Sequence, residues 1–430
     1  MVPQKHRWRR ASVLVLKLMV ALVGLWYVTR QITWHNQVFL KPGSVIRGVV
    51  VLREVPIRLL HLGNNIAQVA VGQQRLRVRL ASRLVVDGVP DRAPMSWPAV
   101  ITIPRQCLVS LGGMVEIRRG LPELLLSAHW WPLLIALGLL GLPTFITAWR
   151  WWKLLTVQTP EVSYGQCLRL TFVGQFYSVF LPGSVSGDVV KMVYAGKATG
   201  NATGSAVSIV LDRVVGLVAL LVLALLTTTA LLILDAGVWK GPAAWAHLFL
   251  IHVWWIIAGL LLATGMAVLF YLHRPLRRFL RIESLLGWLP LPMFIKHAHG
   301  TLQRYRSHSG LMGVLFVVSL LSQGITPLAG WFIGRALAMQ APLDWYLVCL
   351  PVVALAVSVP ILPPMGLGVL DSLLLFFFVT HGIDTANQAF ALAQALRFLP
   401  LCWSMLGAYW VLRGKFMNPA ARHQPGVGGG

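Results

Sequence analysis

Hydrocarbon leaves a polypeptide almost no choice of conformation, and this sequence is dominated by apolar runs long enough to lie in it. A backbone inside a bilayer must satisfy its own amides, so an apolar run of about 20 residues forms a helix there. Such runs occupy Ala11 to Val28, Trp131 to Trp149, Ser205 to Leu234, Leu248 to Leu272, Leu311 to about Arg335, and Ala389 to Leu412. With 57% hydrophobic and only 12% charged residues, the composition excludes a soluble protein. The surplus of 37 Lys and Arg over 13 acids suits cytoplasmic loops and anionic lipid headgroups better than nucleic acid. Cys107, Cys167, Cys349 and Cys402 form no Cys-x-x-Cys pair, and the histidines, His297 and His299 among them, form no ligand set with acids or cysteines. No metal site, cofactor or redox chemistry is expected from that pattern.

Two apolar segments are broken by glycine and proline, and each runs straight into a carboxylate. The first is Leu181-Pro182-Gly183-Ser184-Val185-Ser186-Gly187-Asp188, and the second is Ile361-Leu362-Pro363-Pro364-Met365-Gly366-Leu367-Gly368-Val369-Leu370-Asp371. Interrupted backbone at membrane depth is tolerated only where protein or a water-filled cavity surrounds it. Paired interruptions in the two halves of a transporter-like chain point to a substrate pathway. Leu168 to Leu181 holds 14 residues, too few to cross, so it is expected to go in and turn back. Charge supports that choice. A full crossing would put the loop carrying Arg274, Arg277, Arg278, Arg281, Lys296, Arg304 and Arg306 outside, whereas a re-entrant hairpin keeps it in the cytoplasm. Trp345 to Ile383 is expected to form a second broken hairpin from the outer face. The predicted architecture is an all-α polytopic membrane protein with about six full transmembrane helices and two opposed re-entrant hairpins. Opposed hairpins are what an inverted repeat would produce, although similarity between the halves is weak at the level of residues.

Lys5, Arg7, Arg9 and Arg10 place the N-terminus in the cytoplasm and mark residues 1–30 as an uncleaved transmembrane anchor. Residues 31–128 then form a small extracytoplasmic β-rich insert. Its signals are strict alternation in Arg75 to Leu80 and short β-type runs at Val49 to Arg53, Ala67 to Gly72, Arg83 to Val86, Val100 to Ile103 and Val115 to Arg118. A transmembrane domain follows over 129–415, and 416–430 is a flexible cytoplasmic tail. Trp149-Arg150-Trp151-Trp152-Lys153 has the composition of an interfacial anchor, and Arg335 marks an outer interface.

Acids are scarce, which makes Asp188, Asp212 and Asp371 informative: a charge at membrane depth costs about 2.5 to 3.5 kcal/mol and must face a partner or an aqueous cavity. Basic partners are at hand in Lys191, three residues after Asp188 on the same helical face, in Arg213 beside Asp212, and in Arg397 inside the last helix. Two readings stand for Asp188 and for Asp371, a helix-dipole complement or a functional group. Lys191 is either a point charge for phosphate or a side chain snorkelling to the surface. Gly183 and Gly187 would let the backbone approach a headgroup, and Gly366 and Gly368 precede Asp371 in the same manner. Asp212 and Arg213 are expected to clamp their helix to the first hairpin, and Gln175 to knit helices together. No nucleotide-binding loop, nucleophile elbow or convincing carboxylate pair argues for catalysis.

The stretch Gly174-Gln175-Phe176-Tyr177-Ser178-Val179-Phe180-Leu181-Pro182-Gly183-Ser184-Val185-Ser186-Gly187-Asp188-Val189-Val190-Lys191, followed by Val210-Leu211-Asp212-Arg213-Val214-Val215-Gly216-Leu217, resembles the lysylphosphatidylglycerol synthase transmembrane-region family. The resemblance covers roughly residues 130 to 415 and leaves out the β-rich insert. It implies a flippase-like membrane region that moves a lipid between leaflets, without the aminoacyltransferase domain that makes lysyl-lipid in bifunctional members. It also implies importance for Pro182, Gly183, Gly187, Asp188, Asp212 and Arg213. The family pattern Gly-x-Gly-x-Arg-Glu is altered here, where Gly366-Leu367-Gly368-Val369-Leu370-Asp371 lacks the Arg and shortens the acid. The expected substrate is a lipid with a charged or glycosylated headgroup, handled by Gln175, Pro182, Gly183, Gly187, Asp188, Lys191, Asp212, Arg213, Gly366, Gly368, Asp371 and Arg397 in a bacterial-type inner membrane. The alternative is a non-catalytic membrane partner of a glycosyltransferase or isoprenoid-lipid enzyme.

Overall fold

The computed structural model describes residues 19, 22–41, 45–46, 49–50, 55–62, 66–70, 100–104, 106, 108–111, 114–115, 117–180, 186–234, 244–272, 305, 308–358, 364–380 and 383–413. A helical stretch over 22–29, α1, leads into the β region. The short α2 (Leu121–Leu126) closes that region, and then come α3 (Trp130–Thr156), α4 (Tyr164–Phe180), α5 (Ser186–Thr199), α6 (Ala202–Leu234) and α7 (Ala244–Leu272). The second half holds α8 (Ser309–Ala336), α9 (Leu343–Val357), a 3-10 turn at Pro364–Gly366, α10 (Val369–Val379) and α11 (Ala386–Arg413).

Helices α3, α6, α8 and α11 each contain an apolar stretch long enough to cross a bilayer. Helix α7 runs for 29 residues and carries the apolar stretch Ile251–Met266. Their outward faces remain oily, with Leu134, Trp255, Ile256, Leu262, Leu321 and Met405 all exposed, as a lipid-facing wall requires. The chain is a multi-pass, essentially all-helical membrane protein. Most of the first expected crossing lies outside the described residues.

Hydrogen bonds between chain segments fix the direction of each helix. At one end, where α3 finishes, Tyr305 donates to the Leu154 carbonyl (2.8 Å), and Gln158 donates to Tyr305 (2.7 Å) and to the Gly204 carbonyl (3.3 Å). At the opposite end the His129 amide donates to the Ala336 carbonyl (3.0 Å). Helices α3 and α8 are therefore antiparallel. Because Gln158 and Gly204 meet, α4 and α5 go in and come back at the end where α3 finishes, here called the near end. At the far end the Gln340 amide donates to Asp384 (2.7 Å), and Gln388 donates to the Leu337 and Ala338 carbonyls (both 3.1 Å), so α9 and α10 form a second hairpin that opens there. The two broken hairpins are thus opposed, as the charge argument anticipated.

The halves repeat one plan of long helix, broken hairpin, long helix, as α3-α4-α5-α6 and α8-α9-α10-α11. The packing repeats too. Helix α3 meets α4 as α8 meets α9, α5 meets α6 as α10 meets α11, and α4 lies on α11 as α9 lies on α6. The self-related pair α3 and α8 forms the spine. The largest apolar core lies around the second hairpin, where Ile333, Tyr346, Leu374, Phe377, Phe378 and Leu392 are all buried.

The β region forms a five-stranded antiparallel sheet in the order β6-β5-β4-β1-β9, built from Val100–Pro104, Ile66–Ala70, Val55–Leu62, Gln37–Leu40 and Ile117–Arg118. Four further two-residue strands, β2 (Val45–Ile46) with β3 (Val49–Val50) and β7 (Ser110–Leu111) with β8 (Met114–Val115), pair separately. The central strand β4 had no counterpart among the expected runs: Pro56 interrupts it near its start, where proline ordinarily argues against a strand. The runs Arg75 to Leu80 and Arg83 to Val86 lie outside the described residues. Asn387, at the start of α11 and buried, cinches the neck of this region. It accepts from the Thr33 amide (2.9 Å) and donates to the Thr33 carbonyl (2.9 Å) and the Arg119 carbonyl (2.9 Å), so the incoming and outgoing strands of chain meet at one side chain.

Candidate functional site

Each hairpin carries its acid in the first turn of its second arm. Asp188 is the third residue of α5 and Asp371 the third of α10. Each long helix that follows carries an arginine at its twelfth position, Arg213 in α6 and Arg397 in α11. Acid and arginine pair within each half, across 25 and 26 residues of sequence. At 1.5 Å per residue each arginine lies about 18 Å along its helix, and the two helices start at opposite ends of the bundle. The same ion pair thus occurs twice, at matching helix positions, in two halves of opposite sense.

The first pair is two-pronged: Arg213 Nε lies 2.7 Å from Asp188 Oδ2, and Nη2 donates to Oδ1 at 2.9 Å. Asp188 was expected to find Lys191, its neighbour along the helix, but its partner is Arg213. Same-face spacing identifies candidates within one helix and cannot see the carboxylate of α5 turned toward α6. Lys191 instead folds inward, 8% exposed, and lays its ammonium 5.6 Å from the centroid of the Trp151 ring. Gly187 is where α5 presses on α4, since a Cβ there would collide with the Gly174 carbonyl oxygen and the Ser178 hydroxyl. Pro182 and Gly183 lie outside the described residues.

Asp212 faces away from the hairpin. Arg150 of α3 donates to its carboxylate from Nη2 (2.6 Å) and Nε (3.0 Å) and to its own main-chain carbonyl (3.0 Å). The expected clamp between Asp212-Arg213 and the first hairpin therefore divides. Arg213 holds the hairpin, whereas Asp212 holds α3. Arg150 is correspondingly not an interfacial anchor but a buried partner, 5% exposed; the flanking tryptophans disguised it. Gln175 donates to Thr144 of α3 (2.9 Å) and so knits two helices.

The second pair is sealed. Arg397 Nη2 lies 2.6 Å from Asp371 Oδ2, with side-chain exposures of 3% and 0%. Gln394, one turn before Arg397, donates to Asp371 Oδ1 (2.8 Å) and accepts from Arg397 Nη1 (2.8 Å). Arg397 Nε also donates to the Met365 carbonyl (3.3 Å), holding a residue whose φ of 58° is costly for a side chain with a Cβ. Asp371 Oδ2 accepts from the Gly368 amide (3.0 Å) at the start of α10, so it serves at once as cap and as ion-pair partner. Gly366 and Gly368 supply the positive φ angles (64° and 78°) that turn the chain there, and α1 packs Gly24 directly against the Gly368 backbone. Gln394 was not among the expected site residues, although its place three residues before Arg397 puts it on the same face.

At the far end, a cavity of about 480 Å³ lies between the start of α3 and the end of α8, lined by His129, Trp131, Trp331, Phe332, Arg335 and Gln340. Asp384, in the connector beneath it, has its carboxyl pushed up by burial and pulled back by the backbone N–H groups of Gln340 and Ala341. Among the described residues no cluster of His, Cys, Asp and Glu could hold a metal ion.

Comparison with known proteins agrees with this architecture. Neither the curated proteins nor the solved structures give a match to the chain. The family described as Lysylphosphatidylglycerol synthase TM region matches residues 109–407, a span that contains both hairpins and both ion pairs. That span is well over half of the chain, and the protein belongs to the lysylphosphatidylglycerol synthase transmembrane-region family, among membrane proteins of lipid metabolism.

Proposed function

We propose that this protein translocates a lipid with a charged or glycosylated headgroup between the leaflets of a bacterial-type cell membrane, using the opposed hairpins as gates. The observation that carries the reading is the repeated ion pair: matching carboxylate–arginine contacts, one on each hairpin, in halves that run in opposite directions. The open first pair offers a headgroup a polar partner while its acyl chains stay in lipid, and the enclosed second pair holds the other hairpin in place. The near end bears Lys153, Lys197 and Arg413 at helix termini, which favours the cytoplasm on that side, with both chain termini cytoplasmic and the sheet outside.

The test is leaflet exchange of headgroup-labelled lipids in liposomes holding the full chain. Exchange above that of protein-free vesicles for at least one anionic, aminoacylated or glycosylated lipid is the expected result. No acceleration for any of the three classes would overturn the proposal.

A further inference from the structure

The far-end cavity differs from the rest of the helical body in how its polar groups are satisfied. Elsewhere the indole N–H groups of Trp151, Trp152, Trp254 and Trp403 all donate to protein oxygens. The two indoles that line the cavity, Trp131 and Trp331, donate to none among the described residues, and neither do the side chains of His129, Arg335 and Gln340 beside them. Arg335 forms no ion pair among those residues, and its guanidinium lies 6.0 Å from the centroid of the Trp331 ring. Asp384, in the connector beneath, is taken up by the backbone N–H groups of Gln340 and Ala341. The cavity is thus walled by flat aromatic rings and by donors for which the surrounding chain supplies no acceptor.

That combination selects a chemistry. A purely apolar occupant would cover the donors and leave them unpaired. A compact anion would meet one guanidinium and leave the ring faces idle. A pyranose has both surfaces, axial C–H bonds that lie flat on an indole and a rim of hydroxyl oxygens that accept hydrogen bonds. Trp131 is 54% exposed and offers the open face, while Trp331 is held edge-on by Phe332 at 5.0 Å and forms the wall. At about 480 Å³ the cavity falls in the range of about 300–1,000 Å³ usual for small-molecule sites. The adjoining surface is suited to a membrane-borne ligand. Leu134 and Ile135, three and four residues after Trp131 on α3, share its face and are exposed, in a helix long and apolar enough to cross a bilayer.

We infer that the far-end cavity binds the sugar ring of a glycosylated lipid, stacked on Trp131 against the Trp331 wall, with its hydroxyls held by Arg335, Gln340 and His129. The lipid's chains lie along Leu134 and Ile135. This inference rests on the translocation reading for its setting and names one headgroup chemistry, at a site apart from both ion pairs.

The experiment measures retention of monoglucosyl and monogalactosyl dioleoylglycerol, each against dioleoylglycerol, by the full chain, read by native mass spectrometry. The chain is purified in a polyoxyethylene detergent, since a sugar-headed one would compete. The parent should favour at least one glycosylated lipid by about tenfold or more, the equivalent of about 1.4 kcal/mol. Trp131→Leu keeps an apolar side chain but removes the flat ring, and Arg335→Gln removes the charged donors. Each should erase most of the preference. Trp130→Leu, which deletes the neighbouring exposed indole outside the cavity, should leave it intact. A parent that retains all three lipids alike would overturn the inference, as would an unchanged preference in both cavity variants. An equal loss in Trp130→Leu would also overturn it, because the indoles would then act only as an interfacial belt. Methyl glucoside and methyl galactoside at equal concentration should fail to displace the lipid; displacement would overturn the lipid-borne source and assign the cavity to a soluble sugar. Leaflet exchange on the same proteins separates this from the broader proposal. Retention that follows Trp131 and Arg335 without exchange of any lipid upholds the sugar site and overturns translocation, whereas exchange of an anionic lipid by a parent with no sugar preference does the reverse.

Discussion

Asp188 and Asp371 occupy the same step of the same plan, yet their surroundings differ enough to give them different roles under substitution. Asp371 is wholly enclosed with Arg397 and Gln394, so removing its charge strands a guanidinium that no water reaches. Breaking such a buried pair costs about 3–5 kcal/mol. Asp371→Asn should lower the thermal midpoint in detergent strongly, and Arg397→Gln added to it should recover part of the loss because neither charge is then unpaired. Asp188→Asn leaves Arg213 with an exposed face, so the midpoint should fall much less while leaflet exchange is abolished and membrane insertion stays normal. Similar midpoints for the two single variants would contradict the difference in enclosure. The individual acids were legible in the sequence because acids are so few. Their partners were legible only in part: Arg213 was expected to clamp the first hairpin and Arg397 was named as a buried cation, whereas Arg150 and Gln394 reach their acids across helix packings that spacing along one helix does not encode.

The hairpins depend on how closely their arms can approach. Gly187 is pressed against the α4 backbone, and a methyl group there would meet a carbonyl oxygen rather than the yielding tip of a side chain. Overpacking of this kind costs about 1–3 kcal/mol. Gly187→Ala should therefore lower the midpoint and slow leaflet exchange together. Gly138→Ala, in the interior of α3 with nothing within 4 Å of the added group, should leave the midpoint unchanged or raised. Loss of stability in both, or in neither, would refute the close approach as the cause. Glycine and proline inside apolar sequence made the hairpins visible before any coordinates, because few other arrangements tolerate broken backbone in lipid. The central strand β4 stayed hidden for the converse reason, a proline inside a run that nonetheless pairs on both sides.

Over the whole molecule, the sheet region is an excursion from a helical body that has its own core. Both of its attachment points, Thr33 and Arg119, bond to Asn387, and the Gly120 amide donates to Asn36 (2.7 Å), so the two crossings of the neck are adjacent. Replacing residues 37–117 with a short flexible linker should leave the midpoint of the helical body nearly unchanged and leaflet exchange intact, measured on the same preparation. Exchange lost while the body stays folded would make the sheet part of the transport machinery. The opposed sense of the hairpins was legible from the balance of basic residues, but the pairwise match of packings between the halves was not, since it resides in which helices touch and not in shared residues. Because Asn387 joins both sides of the neck to the first turn of the last helix, and α1 rests on the Gly368 backbone, a tug on the sheet is felt at α11 and at the second hairpin together, as a pull on a tent fly is felt at both of its pegs.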